Sequence, residues 1–219
     1  MSFPRPVQAV VFDMDGLLVD TESQVLASMR VAAEMHGRDL PFATFQRMVG
    51  LPAAASDLIL AEHFGADFDL DAWRDAMRSH FTAAMAAGAV ALKAGVVEIL
   101  DRLDELNLPR AIATSSTRFA LDNSLGPSGV VPRFHAYVTR ESVTEHKPHP
   151  APFLAAAAAL GVDPIDCLAL EDSHNGVRAA AAAGMMTVMV PDLLDPTEEM
   201  QSLCVRIASD LHEVRGMLG

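Results

Sequence analysis

Short apolar runs and amphipathic stretches divide the chain into predicted strands and helices. Residues 7–12 (VQAVVF) form the first apolar run, and the lack of polar alternation after Gln8 is typical of a buried strand in a parallel sheet. Strand signals are absent between about residues 20 and 90. The spacing there predicts helices instead, at residues 22–37, 41–50, 53–64 and 71–87.

After residue 93, predicted strands alternate with predicted helices. The strands are expected at 110–114, 136–139, 167–170 and 187–190, and the helices at 95–106, 116–125, 150–160 and 175–183. Alternation of this kind is typical of a parallel α/β sheet. We therefore predict an α/β core domain at 1–18 and 93–219, which is interrupted after its first strand by a helical domain at 19–92.

The charge balance narrows the partners that the chain can have. The formal net charge is −13, and no basic cluster marks a surface for nucleic acid. An anionic substrate therefore needs local positive charge from a metal, a lysine or an arginine. Lys93 and Lys147 are the only lysines of the sequence, and we expect Lys93 to be a solvated residue of the linker between the domains.

Cysteine use and hydropathy predict the compartment. Cys167 and Cys204 are too few for a disulfide framework and suit a reducing cytoplasm. Asp13 and Asp15 interrupt the first apolar run, so a signal peptide is not expected. The alanine-rich stretches are too short or too interrupted to span a bilayer. We predict a cytoplasmic monomer that binds neither nucleic acid nor membrane.

Polar side chains follow three of the predicted strands. Asp13 and Asp15 come after the first strand, and residues 114–116 and 171–172 follow two later strands. Lys147 lies in the loop before the helix at 150. The carboxyl ends of parallel strands line the ligand crevice, so we expect these groups to meet there. Neighbouring carboxylates repel each other unless a cation intervenes, and ligation by oxygens alone suits Mg²⁺.

With a phosphate in the crevice, these groups separate into roles. Asp13 can attack phosphorus and form an aspartyl-phosphate, while Asp15 can protonate the leaving oxygen and then activate water. Thr114, the backbone amide of Ser115 and Lys147 can hold the phosphoryl oxygens. Each of these short motifs also has a purely structural interpretation, since Asp-x-Asp-Gly is common in turns and Thr-Ser-Ser is common in helix caps. Their joint placement at the ends of one sheet favours phosphoryl chemistry.

Four stretches of the chain, taken in order, resemble the four motifs of the haloacid dehalogenase superfamily. They are FDMDGLLVDTE at 12–22, ATSS at 113–116, HKPHP at 146–150 and LEDSHNGVRAAAAAGM at 170–185. The helical domain resembles the small helical cap of that superfamily, so the resemblance covers nearly the whole chain. It implies a Rossmann-like parallel-sheet core with an inserted, mobile cap.

The resemblance also implies a role for each matching residue. Asp13 corresponds to the nucleophile, Asp15 to the acid/base and Lys147 to a phosphate-binding position beside them. The positions implied to contact Mg²⁺ are Asp13, Asp15 through its backbone carbonyl, Asp172, and Glu171 directly or through water. The positions predicted to bind the substrate are Gly16, Thr114, Ser115 and Arg47.

Departures from other branches of the superfamily narrow the reaction. Its dehalogenases lack the second aspartate and use no metal, so the presence of Asp15 disfavours halide displacement. Phosphonate-cleaving relatives need a lysine on the cap, and residues 19–92 contain none. Both differences leave phosphoryl transfer as the predicted reaction.

The nearest resemblance is to the β-phosphoglucomutase-like branch, which holds both mutases and phosphatases. The mutase cap carries a Lys, an Arg and a His at positions that correspond here to Val49, Ala53 and Val25. Arg47 can supply one cationic contact, although a solvated helix residue is the alternative. We therefore predict a Mg²⁺-dependent phosphatase for a small phosphorylated metabolite, such as a sugar or polyol phosphate. The alternatives are a phosphomutase with a divergent cap and a binding protein without turnover.

Overall fold

In the computed structural model, which describes residues 3–49, 51, 53–65, 67–88 and 90–218, six parallel strands form one sheet. They are β1 (Ala9–Phe12), β2 (Arg110–Ala113), β3 (Ala136–Val138), β4 (Cys167–Glu171), β5 (Met186–Met189) and β6 (Arg206–Ile207). The order across the sheet is β3-β2-β1-β4-β5-β6. All residues of β1, β2, β4 and β5 are buried, which explains why their sequences are mostly apolar without alternation. The predicted α/β fold with a Rossmann-like parallel sheet is confirmed.

The described residues contain ten α-helices. They are α1 (Thr21–Met35), α2 (Phe42–Gln46), α3 (Ala53–Phe64), α4 (Leu70–Ala86), α5 (Val96–Glu105), α6 (Arg118–Ser124), α7 (Ala151–Leu160), α8 (His174–Ala182), α9 (Glu198–Leu203) and α10 (Leu211–Met217). Helix α7 packs on β1, β2 and β3, and α8 packs on β4 and β5. Ala156 of α7 and Ala179 of α8 belong to one buried cluster with Ala111 and Ala169 of the strands. Small side chains on both sides let these helices lie close to the sheet.

The chain separates into two units, each of which is described by itself. The α/β unit consists of residues 1–20 and 91–219, and the helical unit consists of residues 21–90. Within the helical unit, α1 packs on α4, and the indole N–H of Trp73 donates to the backbone oxygen of Met29 at 3.3 Å. Asp69 caps α4 by accepting a hydrogen bond from the Ala72 amide.

The segment after Pro191 differs most from the elements predicted by the apolar pattern. That pattern predicts neither β6 nor the helices α9 and α10, because these elements span 2, 6 and 7 residues. Helical periodicity becomes informative over windows of roughly 11 residues or more, and a strand signal needs a run of about 4 residues or more. Residues 41–50 are predicted as one helix, but α2 ends at Gln46, and Gly50 lies outside the described residues. No described helix is both long and apolar enough to cross a membrane.

Candidate active site

The carboxyl ends of β1, β2 and β4 lie side by side, because β1 pairs with both of the other strands. Asp13 follows β1, and its backbone amide still donates to the Leu170 carbonyl at 2.9 Å. The Thr114 amide likewise donates to the Val138 carbonyl at 2.9 Å. These bonds continue the ladders past the strand ends and fix the backbone that carries the predicted acidic and hydroxyl side chains.

Lys147 joins two of these strand ends. Its ammonium nitrogen Nζ lies 2.5 Å from Asp13 Oδ1 and 2.5 Å from Glu171 Oε1. The side chains of Lys147, Asp13 and Glu171 are 6%, 9% and 0% exposed, respectively. The ammonium also makes a cation–π contact with Phe153, at 5.0 Å from the ring centroid. Lys147 therefore places one buried positive charge directly beside Asp13.

Glu171 is held by protein groups through both of its carboxylate oxygens. Oε1 contacts Lys147, and Oε2 accepts hydrogen bonds from the backbone amides of Asp172 and Ser173 at 3.1 Å and from the Ser173 hydroxyl at 3.0 Å. Gly176 of α8 makes room for this carboxylate, since a Cβ atom there would lie 1.7 Å from Oε1. The contacts of Glu171 therefore serve first to orient Lys147, and its predicted contact to a metal stays a prediction.

The carboxylate of Asp15 accepts hydrogen bonds from hydroxyl groups, whereas the carboxylate of Asp13 contacts the ammonium of Lys147. Asp15 Oδ2 accepts a hydrogen bond from the Ser116 hydroxyl at 2.7 Å and a longer one from the Thr114 hydroxyl at 3.3 Å. Thr114 Oγ1 in turn accepts from the Ser116 amide at 2.9 Å. The two aspartates thus occupy different chemical environments, although they are separated by a single residue. Ser116 is not among the predicted site residues. Its position in the motif ATSS, at residues 113–116, indicates that it lies at the same strand end as Thr114.

Burial and crowded charge shift the pKa of the groups around Asp13. Burial, with added repulsion from the carboxylates of Glu171 and Asp15, raises the pKa of Asp13 to about 8, against the opposing attraction of Lys147. Burial, together with Glu171 and Asp13, also raises the pKa of Asp172. Burial alone would lower the pKa of Lys147, but the attraction of Asp13 and Glu171 outweighs it and raises the pKa. Lys147 therefore stays charged, whereas the acidic groups repel one another.

The excess of negative charge around Asp13 suits a divalent cation. Asp13, Glu171 and Asp172 each offer an oxygen atom, and these atoms all lie within 4.8 Å of one another. Lys147 offsets only part of their combined negative charge. A donor set made of carboxylate oxygens suits Mg²⁺.

The other predicted substrate-binding residues are placed differently. Gly16 has a φ of +82°, and a Cβ atom there would lie 2.3 Å from Asp172 Oδ2, so the glycine leaves room for that carboxylate. Ser115 is exposed. Arg47 belongs to the helical unit, where its Nη2 lies 2.6 Å from Glu62 Oε2, and both side chains are more than half exposed.

A sequence model described as Haloacid dehalogenase-like hydrolase matches residues 10–190. The chain belongs to this hydrolase family. Hexitol phosphatase B of Escherichia coli (strain K12) is 32% identical to it over an alignment of 205 residues, gaps included, which covers 87% of this chain and 86% of that protein. Phosphoglycolate phosphatase of Xanthomonas campestris pv. campestris (strain 8004) is 32% identical over an alignment of 191 residues, which covers 86% of this chain and 83% of that protein.

The fold of this haloacid dehalogenase-like hydrolase also matches solved structures. A HAD family hydrolase from Deinococcus radiodurans R1, crystallised with bound phosphate and sodium, superimposes with a TM-score of 0.83 at 27% identity. The match covers 97% of this chain and 95% of that chain. The predicted membership of the haloacid dehalogenase (HAD) superfamily and the predicted phosphatase class are confirmed.

We expect Ser116→Ala to lower the kcat of this hydrolase about 10-fold, because the substitution removes the 2.7 Å hydrogen bond that orients Asp15. KM should change less, since the lost bond holds another side chain rather than the substrate. Steady-state kinetics with an aryl phosphate measures both constants. Ser124→Ala is the matched control, because the Ser124 hydroxyl donates to the Ala120 carbonyl within its own helix, α6. Equal effects of the two substitutions on kcat would contradict the role of Ser116.

The metal-free hydrolase is expected to lose stability as the pH rises from about 4 to about 8. In this window the folded protein keeps a proton on Asp13, whose pKa is raised from 3.8 to about 8, whereas the unfolded chain has lost it. Urea unfolding in a chelator at pH 5 and pH 8 measures the difference. Mg²⁺ at roughly 100 times its Kd should add about 2.7 kcal/mol to the free energy of unfolding.

The Mg²⁺ effect should reach that size at pH 8 and be smaller at pH 5, where protons compete for the same carboxylates. Asp13→Asn provides the control, because it should weaken the pH dependence of the metal-free protein, to which Asp172 with its raised pKa still contributes. A free energy of unfolding that rises between pH 5 and pH 8 in the chelator would contradict this expectation.

Proposed function

We propose that this chain is a Mg²⁺-dependent phosphatase that hydrolyses a sugar or polyol phosphate through an aspartyl-phosphate on Asp13. The observation that carries the proposal is the separation of the two aspartates into different environments. Asp13 lies beside the buried ammonium of Lys147, whereas Asp15 is held by the hydroxyls of Ser116 and Thr114. One carboxylate is thereby suited to attack phosphorus and the other to exchange protons.

Asp13, Asp172 and the backbone carbonyl of Asp15 would hold the Mg²⁺ ion, with Glu171 contributing directly or through water. The fit is supported by the three clustered carboxylates. Burial, with added repulsion between the carboxylates, raises the pKa of Asp13 and Asp172, and a bound cation would offset both effects. When bound, the ion shields the attacking carboxylate from the negative oxygens of the phosphoryl group.

In the first half of the proposed reaction, a carboxylate oxygen of Asp13 forms a bond to phosphorus, and the bond from phosphorus to the leaving oxygen breaks. Asp15 donates its proton to that leaving oxygen. Lys147, the Thr114 hydroxyl and the Ser115 amide bind the phosphoryl oxygens. In the second half, Asp15 takes a proton from water, which attacks phosphorus and releases inorganic phosphate from Asp13.

The names of two relatives support a small phosphorylated substrate, and residues of the helical unit support hydrolysis over transfer to a sugar. Hexitol phosphatase B and phosphoglycolate phosphatase, which match more than four fifths of the chain, are named for small phosphorylated substrates. Val25, Val49 and Ala53 stand where the resembling mutase carries charged or titratable side chains. Arg47 is paired with Glu62. These features favour water over a sugar as the acceptor of the phosphoryl group.

The experiment that tests this proposal is a panel of sugar and polyol phosphates, assayed with Mg²⁺ and with a chelator, in which both inorganic phosphate and the organic product are identified. We expect Mg²⁺-dependent release of phosphate together with the free sugar or polyol. An isomerised sugar phosphate that forms only with a catalytic bisphosphate would instead show a mutase. A protein that binds but does not turn over any substrate, an aryl phosphate included, would contradict enzymatic function.

We also propose that the protein is a monomer of the cytoplasm. Cys167 and Cys204 are free thiols, and burial raises the pKa of each to about 11, so both stay protonated at neutral pH. Unreactive thiols of this kind suit a reducing compartment. Sedimentation of the purified chain measures the oligomeric state.

A further inference from the structure

Among the described residues, one carboxylate oxygen of Asp192 has a hydrogen-bond partner and the other has none. Asp192 lies just beyond the carboxyl end of β5, and its side chain is 14% exposed. Oδ1 accepts a hydrogen bond from Lys93 Nζ at 2.6 Å, so Lys93 is not the solvated linker residue that its sequence position predicts. Oδ2 is buried and has no hydrogen-bond partner among the described residues. A buried polar atom of this kind needs a donor, since leaving it unpaired costs about 1–3 kcal/mol.

Gly16 shows where Oδ2 of Asp192 lies. A Cβ atom built on Gly16 would be 2.3 Å from Asp172 Oδ2 and 3.4 Å from Asp192 Oδ2. The two carboxylate oxygens therefore flank the same small space, which exists because residue 16 has no side chain. Asp172 is one of the residues that would hold Mg²⁺ in the proposed function, so Asp192 lies next to the metal site.

The arrangement suits an indirect contact with the ion better than direct ligation. Asp192 does not belong to the described group of Asp13, Glu171 and Asp172, whose ligand atoms lie within 4.8 Å of one another. Mg²⁺ in proteins usually keeps several of its water molecules, and each of these waters has protons to donate. Residues that accept such hydrogen bonds orient the bound water and raise the affinity for the metal. The charge of Asp192 is already balanced by Lys93, which holds the carboxylate in place.

We propose that Asp192 is a positioning residue whose Oδ2 accepts a hydrogen bond from a water molecule of the ion held by Asp13 and Asp172. Lys93 fixes the carboxylate for that contact. The inference rests on the proposed function, because it requires the cation. Neither Lys93 nor Asp192 belongs to the four motif stretches, and Asp192 lies outside the residues 10–190 that match the family.

The test is a titration of the metal-free full chain with Mn²⁺, in which electron paramagnetic resonance measures the free ion and the line shape of the bound ion. We expect Asp192→Asn to weaken Mn²⁺ binding about 10-fold and to change the line shape of the bound ion. The Mg²⁺ concentration for half-maximal phosphatase activity should rise by a similar factor. Asp104→Asn is the matched control, since Asp104 pairs with Arg110 and Arg133 beside the amino end of β2.

Both substitutions remove one negative charge from an ion pair, so the control accounts for the change in the net charge of the protein. Asp104→Asn should leave the affinity within about twofold of the original protein, because the substituted group lies at the end of the strand away from the site. If Asp192→Asn does not fold, as judged by thermal unfolding, Asp192→Ser replaces it with the same expected loss. Wild-type Mn²⁺ affinity and line shape in the folded Asp192 variant would overturn the inference.

Asp172→Asn separates this inference from the proposed function on which it rests. Loss of Mn²⁺ binding in Asp172→Asn, with unchanged binding in Asp192→Asn, would leave the proposed metal site intact and refute only the role of Asp192. Unchanged binding in both variants would show that the proposed metal site itself is wrong. Weakened binding in both, with Asp192→Asn the milder, is the expected result.

Discussion

Asp13→Asn is expected to abolish phosphate release, with kcat reduced on the order of 10⁴-fold or more, because the amide oxygen cannot replace the attacking carboxylate. The protein should remain folded. Burial already disfavours the charged form of Asp13, as its raised pKa of about 8 indicates, so a neutral side chain of the same shape fits the site. Lys147 also keeps its 2.5 Å contact with Glu171.

Initial rates with an aryl phosphate and Mg²⁺ measure the loss, and thermal unfolding in a chelator measures the fold. Asp122→Asn is the control, because Asp122 is a half-exposed partner of Arg118 on α6 and should leave the rate unchanged. Mass spectrometry after rapid quenching should find a phosphorylated peptide that contains Asp13 only in the original protein. Equal phosphate release by Asp13→Asn and the original protein would refute the nucleophile.

Gly176→Ala is expected to damage both stability and activity, although the added methyl group is small and alanine favours helices. The new Cβ atom would lie 1.7 Å from Glu171 Oε1 and 2.2 Å from Oε2, so the buried carboxylate must move. Its displacement breaks the contact with Lys147 and the hydrogen bonds from the Asp172 and Ser173 amides. Disrupting a buried ion pair costs roughly 3–5 kcal/mol, and we expect a loss of that size in the free energy of unfolding.

The activity should fall roughly 100-fold in the folded fraction, because Lys147 loses the carboxylate that orients it beside Asp13. Gly216→Ala is the matched control. Gly216 also lies in a helix, α10, but nothing stands within 4 Å of an added Cβ atom. That variant should be as stable as the original protein or more stable by about 0.4–1 kcal/mol. Urea unfolding and steady-state kinetics of both variants test the contrast, and a stable, active Gly176→Ala would contradict the role of Glu171.

The elements that the sequence predicted well are the longer helices and the strands that stand out as short apolar runs. Helices α3 and α7 end at the predicted residues, Phe64 and Leu160, and every strand from β1 to β5 overlaps its predicted range. Parallel strands bring their carboxyl ends to one edge, so the order of the motifs was enough to group Asp13, Thr114 and Glu171. The short elements after Pro191 carry no such periodic signal, and their formation depends on packing against the rest of the sheet.

Side-chain partners within the site were beyond the reach of the sequence. Lys147 meets Asp13 across 134 residues, and Lys93 meets Asp192 across 99 residues, so neither pair follows from local spacing. The hydrogen bond from the Ser116 hydroxyl to Asp15 likewise joins residues that are 101 positions apart. The local sequence around each residue does not specify contacts between segments that lie so far apart in the chain.

The sequence by itself determined the chemistry that this protein has available: two aspartates after the first strand, a lysine in a loop and a second acidic pair after a later strand. Residue types and strand ends suffice for that, because hydrophobic periodicity defines the sheet and the sheet defines its carboxyl edge. Only the tertiary structure decided which oxygen atom faces which donor. Burial and charge act over a few ångströms, and those distances between distant segments exist only after the chain has folded.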